Sequence, residues 1–553
     1  MLRQWRQRRS RRNTNRRPQR LLLGLSSRLA ALSLLSLVGA ALVLLGAGAV
    51  ILSTSFDVEA NATPTGGDLS LNEGASDSTD IRSNNSPTLV RNPKRPGNLA
   101  VANRIDTPRF SCALHASFDG GASWERATPI PAPPGEEPKC FGPDVAFGAD
   151  GTLYLSFVTL AGKGNVPNAV WIAKSTDGGR TLSKPRKALG RLAFQVRLAA
   201  DPIHPDRLYM TWLQAPDTGT LSFTGPGNPI QTARSDDGGA SWQPRKRVSS
   251  PRRGRVVTPS PAVGRDGQLY VLYVDLGGDK LDYDGGTRGR GGPPYRGSFR
   301  LVLARSRDRG KSWEESVVDD KLVPIGRFVV FYPPYPSLAV DPHSGRIYAA
   351  FHDARLGDPD VLVWSLLPSG SGGWKGPTRV NDTPKHDGTS QYLPKLGVAP
   401  DGRLDVLYYD RRADPDNVKS DVSLQSSFDS GKSFTAAKKL TRRPFDSGIG
   451  FGSPEGLPDL GSRLALISDD AAALAVWTDT RSGTRLSNKQ DLYRTLVKFS
   501  QPPRLASPVK DALRYGGILV ALAGLALLLM PWVAKARISS RLRNGMPRPR
   551  RRA

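Results

Sequence analysis

Three short segments of this chain repeat one chemical pattern. His352-Asp353-Ala354-Arg355, Tyr409-Asp410-Arg411-Arg412 and Thr478-Asp479-Thr480-Arg481 each set a carboxylate and a guanidinium two residues apart. A ring of such side chains can hold an anionic sugar or polymer by charge-assisted, bidentate hydrogen bonds. The same residues can instead pair with one another as structural ion pairs between neighbouring units. Threefold recurrence favours the pairing, since an active site rarely repeats itself. Arg327 and Tyr332 sit with Phe328, Phe331 and Tyr335 in an aromatic stretch suited either to stacking on a carbohydrate or to packing between units. Asp275, Asp279, Asp282 and Asp284 fall in the Gly-rich stretch 275–296. Oxygen-rich loops can take Ca²⁺, but this spacing matches no EF-hand, so a solvated loop is the better expectation and no cofactor is expected. The five His have no ligand spacing, which argues against zinc.

The elements that must position these residues are set by a second repeat. Asp119, Asp177, Asp237, Asp308 and Asp429 each occupy the third place of an S-x-D-x-G-x-[ST]-[WF] box, as in Ser117-Phe118-Asp119-Gly120-Gly121-Ala122-Ser123-Trp124, with Leu182 closing the second copy. The Asp can cap backbone N–H groups of a tight hairpin, the Gly permits positive φ, and the final aromatic covers the turn. Spacings of 58, 60, 71 and then 121 residues give a period near 60, the mark of a repeat fold.

Upstream of each box lie an apolar run, usually led by Pro, and a Leu-Tyr-type strand. Pro143-Asp144-Val145-Ala146 precedes Leu153-Tyr154-Leu155-Ser156-Phe157, and Pro394-Lys395-Leu396-Gly397-Val398 precedes Leu404-Asp405-Val406-Leu407-Tyr408. Counterparts start at Pro87, Val196, Pro261, Pro336 and Pro458, which makes seven units of four short strands each. A single four-stranded sheet cannot bury both faces, whereas a radial array can. The expected fold is therefore all-β, a seven-bladed β-propeller.

The boxes resemble those of the sialidase-like Asp-box (BNR-repeat) propellers, over roughly 84–499. That resemblance implies six blades as the alternative count. It also implies a ligand face opposite the boxes, where a sialidase carries three Arg, a Tyr nucleophile paired with Glu, and an Asp acid/base. The family's first Arg should fall near Ser86-Pro87-Thr88-Leu89, where there is none; Arg104-Ile105-Asp106 lies one strand later. Many proteins resembling this family carry boxes and cleave nothing.

Charge and hydropathy set the surroundings. The net charge is +28, of which 18 come from two acid-free tails, 1–28 and 535–553. Each tail abuts an apolar segment, 29–52 and 515–534, long enough for the roughly 20 residues a bilayer needs. The positive-inside rule puts both tails in the cytoplasm and the propeller outside, in a two-pass plasma-membrane protein. A cleaved signal peptide is the alternative for the first segment. In that context the basic tails are membrane-flanking, and no nucleic acid is expected. The expected organisation is a basic tail 1–28, a span 29–52, a flexible Ser/Asn/Gly/Asp-rich stalk 53–86, the propeller 87–499, a tether 500–514, a span 515–534 and a basic tail 535–553. Cys112 and Cys140 are the only cysteines, and outside the cytoplasm they are expected to pair. Two classes of function follow: a membrane-anchored, non-catalytic module for a glycan, an envelope polymer or a protein, or a glycoside hydrolase of exo-sialidase type. The missing first Arg favours the former.

Overall fold

The structure is a computed structural model of the whole chain, and it describes residues 16–55, 61–75, 77, 79–216, 228–279, 295–325, 335–450, 460–500 and 507–544. It divides into a helical unit, Met1–Asn61 with Gln501–Ala553, and a β unit, Ala62–Ser500.

The β unit is a seven-bladed propeller; the six-bladed alternative is excluded. Blades 2 to 6 run as consecutive antiparallel strands from inner to outer position. Blade 2 is Cys140–Phe147, Leu153–Ala161, Val166–Ser175 and Arg186–Leu189, and blade 3 is Ala193–Ala200, Leu208–Gln214, Ile230–Ser235 and Lys246–Arg247. Blade 4 is Val256–Val263, Leu269–Asp275, Phe299–Ser306 and Glu314–Leu322. Blade 5 is Ser337–Val340, Ile347–Asp353, Asp360–Leu366 and Lys375–Arg379. Blade 6 is Gln391–Val398, Leu404–Asp410, Lys419–Ser427 and Lys438–Lys439. Blade 1 has three strands, Asn84–Arg91, Leu99–Ile105 and Ser111–Ser117. The Leu-Tyr strands are the buried second strands: Tyr154, Tyr209, Tyr270 and Tyr348 are all at most 2% exposed. Among the described residues, the apolar clusters of the propeller draw on residues from Leu71 to Leu496, so the unit holds its own core.

Blade 7 departs from the sequence expectation. Its first three strands are Ala465–Ser468, Ala472–Asp479 and Asp491–Ser500, and Asn61–Ser70 supplies the fourth. The stretch 53–86 is therefore not a flexible stalk: the first helix runs to Ser55, Asn61–Ser70 closes the ring, and blade 1 begins at Asn84. An edge strand is held by backbone pairing and a few anchors, so its polar composition hid it. Asp68 is the main anchor, its carboxylate taking Arg481 at 2.6 Å and Arg442 at 3.1 Å. Asn72 Nδ2 donates to Asp491 at 2.9 Å, and Lys489 donates to the carbonyls of Gly74 and Asp77, both at 2.6 Å. Blade 7 needs no box because its outer strand comes from the other end of the chain.

The boxes are turns that follow the third strand of a blade, and in blades 2, 3, 4 and 6 they lead into the fourth. In the first, Ser123 N and Oγ donate to the Asp119 carboxylate at 2.9 and 2.6 Å, and Gly121 N donates to Ser117 Oγ at 2.9 Å. Asp177, Asp237, Asp308 and Asp429 repeat this scheme. Trp124, Trp242, Trp313 and Phe434 are half-buried, each packed on the core of a blade. Cys112 and Cys140 form a disulfide with Cα atoms 5.6 Å apart, joining the third strand of blade 1 to the inner strand of blade 2.

The helical unit pairs Arg16–Ser55 with Ser507–Asn544, so both helices overrun the apolar segments and the tether is partly helical. Candidate spans are Ser33–Ser53 and Asp511–Val533. They pack through small residues. A Cβ on Gly39 would meet Gly524 O at 2.8 Å, and one on Gly517 would meet Gly46 O at 2.7 Å. The two pairs, seven residues apart on each helix, run in opposite order, which makes the helices antiparallel neighbours at close backbone approach.

Candidate functional site: a cationic ring in the central channel

The inner strands carry an irregularity that repeats around the ring. Ser86, Gln195, Thr258 and Leu393 adopt φ of 55°, 51°, 57° and 53°, and Gly142 and Gly461 take 55° and 84°. At five of these positions the ladder to the second strand shifts register. Such a bulge leaves one residue unpaired and re-aims the next side chains. Two residues after each of these positive-φ positions stand Thr88, Asp144, Arg197, Ser260, Lys395 and Arg463, and Ser337 follows Tyr335-Pro336 at the same spacing. These seven residues, one per blade, form the ring of the central channel.

Neighbouring blades are stitched at this level. Arg463 Nε donates to Thr88 Oγ1 at 3.0 Å and its Nη2 to Pro143 O at 2.8 Å. Asp144 pairs with Arg197 at 3.2 Å and accepts the Leu198 N–H at 2.8 Å. Ser337 Oγ accepts the Leu396 N–H at 2.9 Å, and Ser260 Oγ donates to Pro336 O at 2.7 Å. The bulges themselves are capped from the preceding blade: Thr258 N donates to Gln195 Oε1 at 2.7 Å, and Leu393 N to His352 Nδ1 at 3.2 Å. His352 is thus a neutral acceptor, held by burial at about 3.

A pocket of about 60 Å³ opens in the channel, lined by Arg197, Ser260, Tyr335, Ser337, Lys395 and Arg463 among others. By the roughly 15 Å³ that one water-sized group requires, it has room for about four. Arg197 and Arg463 reach it with Lys395, and Asp144 is the carboxylate that faces them. Lys395 Nζ has no hydrogen bond or ion pair among the described residues. Burial, then the charges of Arg197 and Arg463, lower its pKa to about 8. Burial and Arg197 also press on Arg463, whose guanidinium stays protonated at neutral pH. Burial pushes the Tyr335 hydroxyl up to about 12 against the pull of these cations, so it stays protonated. Arg104, held by Asp106 at 2.7 Å, adds its field from the second strand of blade 1. Arg197, Lys395 and Arg463, crowded together with Asp144 as their counter-charge, make a site whose unmet demand is for an anion.

Of the residues singled out by sequence, Tyr335 lines this pocket, and the Asp–Arg pairs lie elsewhere. Asp353 and Arg355 bond at 2.6 Å, and Arg355 also takes Asp319 of blade 4 at 2.9 Å. Arg412 is held by Asp410 at 2.6 Å and by Asp382 at 2.5 Å. Arg481 is held by Asp479 and, from the closing strand, Asp68. Each guanidinium is clamped by two carboxylates, and none of the six residues lines the pocket. Asp279 is buried. Arg327, Tyr332, Asp282 and Asp284 lie outside the described residues. A Tyr–Glu contact does exist: Tyr273 donates to Glu315, which also accepts Arg253 Nε at 2.9 Å. It belongs to a network inside blade 4, and neither residue lines the pocket. Sequence reasoning missed the ring, although its signal was present: the residue after the leading Pro in four blades is Thr88, Asp144, Ser337 or Lys395.

No family model and no curated protein sequence matches this chain. Among solved structures it is similar to a protein of unknown function from Dyadobacter fermentans, at 13% identity and TM-score 0.45, covering 79% of this chain and 99% of that one. It is also similar to an ulvan lyase of polysaccharide lyase family PL25, at 11% identity and TM-score 0.44, covering 78% and 98%. A third is the phage phi92 endosialidase, at 9% identity and TM-score 0.43, covering 81% and 70%.

Proposed function

We propose that this chain is a two-pass membrane protein that holds an extracytoplasmic propeller, and that the propeller binds an acidic glycan or envelope polymer without cleaving it. Basic tails beside both apolar helices support the topology, with both termini cytoplasmic. The disulfide suits an oxidising compartment. The observation that carries the binding reading is the convergence of Arg197, Lys395 and Arg463 on one pocket with Asp144 as their counter-charge. A carboxylate, sulfate or phosphate entering there replaces repulsion among cations with charge-assisted hydrogen bonds.

Binding is favoured over hydrolysis by what the pocket's acid is doing. Glycoside hydrolysis needs two acidic groups, or a Tyr activated by Glu, beside the bond to be cut. Asp144 is occupied by Arg197 and the Leu198 N–H, and Tyr335 has no hydrogen-bonded carboxylate among the described residues. The test is to titrate purified propeller with acidic and neutral oligosaccharides and to assay it on a fluorogenic sialoside. Saturable binding of acidic sugars, weakened by Arg463→Gln, with no turnover is expected. Turnover abolished by Arg463→Gln would instead establish the exo-sialidase reading.

A further inference from the structure

Many arginines of the propeller carry a carboxylate partner, as the clamps on Arg355, Arg412 and Arg481 illustrate. One surface breaks that habit. Residues 184–191 and 243–252 hold eight Lys and Arg and no acid. All eight are exposed, and none has an ion pair among the described residues. They include Arg186 and Lys187 on the outer strand of blade 2 and Lys246 and Arg247 on that of blade 3. Arg191 and Arg245 join the two groups: Gln214 donates to Arg191 O at 3.2 Å and accepts from Arg245 Nη1 at 3.4 Å.

Charged edge strands guard against edge-to-edge pairing, and either sign serves. Blade 4 does this with acids, Glu314 and Asp320, both exposed on Glu314–Leu322. Edge protection therefore does not require two adjacent blades to collect eight charges of one sign, an arrangement that repels itself. No large apolar side chain within 184–191 or 243–252 is exposed. A surface that enters lipid headgroups needs such anchors, so the strip suits a hydrated polyanion.

We propose that this strip on blades 2 and 3 is a second contact surface, which holds the body of an extended acidic polysaccharide. It stands on residues separate from the channel pocket, so it can hold or fail independently of the pocket's role. The test uses the isolated propeller, 61–500, because the basic tails would bind polyanions themselves. The probes are long-chain polygalacturonate, digalacturonate and vesicles with about one-third anionic lipid. Replacing Arg186, Lys187, Arg245 and Lys246 with Gln should cut long-chain affinity at low salt by about tenfold or more, and flatten its salt dependence by up to about three in log–log slope. Digalacturonate binding should be unchanged, whereas Arg463→Gln should weaken it. Lys184→Gln with Arg252→Gln should give a smaller loss of the same kind, and melting temperatures should stay at the wild-type value. Unchanged long-chain affinity in the fourfold variant overturns the proposal. So does a loss confined to anionic vesicles, which would assign the strip to a lipid surface.

Discussion

Arg463 of the last blade donates to Thr88 Oγ1 of the first at 3.0 Å, bridging the place where the ring closes. The same side chain faces the channel pocket, so one residue joins the seam of the fold to its candidate site. Closure itself depends on a strand from the other end of the chain.

That dependence predicts that a propeller beginning at residue 84 folds poorly or aggregates, because blade 7 then exposes Asp491–Ser500 as an open edge. A propeller beginning at residue 61 should be monomeric and cooperative. Asp68→Ala should cost about 3 kcal/mol, since Asp68 is a buried partner of Arg481. Melting curves and size-exclusion chromatography of the three proteins are the check.

The boxes predict an acid limit. Burial disfavours the charged forms of Asp119, Asp177 and Asp308, but hydrogen bonds from box residues outweigh it, and their carboxyls, with that of Asp237, fall to about 2. Their folded values lie below the unfolded value of 3.8, so their contribution is complete above about pH 4 and lost as pH falls toward 2. Denaturant midpoints between pH 5 and 2 should decline over that window, and less steeply in an Asp177→Asn, Asp237→Asn double variant.

Lys395 predicts two opposite pH responses. Its folded value, about 8, lies below the ordinary 10.5. Between those values the unfolded chain holds more protons than the folded one, so Lys395 makes stability of the ligand-free propeller rise with pH. A bound anion favours the charged amine, so affinity should fall as pH rises through 8. Lys395→Arg should keep its affinity to pH 9. A wild-type affinity flat from pH 7 to 9 would show that Lys395 does not touch the ligand.

The helix pair predicts a packing defect. Gly46→Leu or Gly517→Leu forces the backbones apart where a Cβ would already meet the facing backbone. Engineered cysteines on facing helix positions, placed one turn from each Gly, should cross-link in the parent and fail to do so in the Leu variants.

Architecture was legible because it rests on local, repeated chemistry. A box reads as a turn from its own eight residues, and Leu-Tyr alternation reads as a buried strand. What escaped needed longer-range information. Asn61–Ser70 carries no hydrophobic period, and the strand it pairs with lies some 430 residues away. The Asp–Arg pairs were visible, but not that Asp319 and Asp68 from other strands and Asp382 from a connection would arrive to clamp them. The ring was hidden by chemical variety. One structural position holds Thr, Asp, Arg, Ser, Ser, Lys and Arg in turn, so no motif search joins them; their common place on the inner face, marked by a bulge in five blades, does.

The most direct test of the anion-site account is a crystal structure of the propeller with a bound acidic oligosaccharide. The account predicts one acidic group within hydrogen-bonding distance of Lys395 Nζ and of the Arg197 and Arg463 guanidinium groups, with the Tyr335 hydroxyl protonated beside it. A saturating ligand seated only on the clamped Arg355, Arg412 or Arg481, with the channel pocket holding water alone, would contradict it.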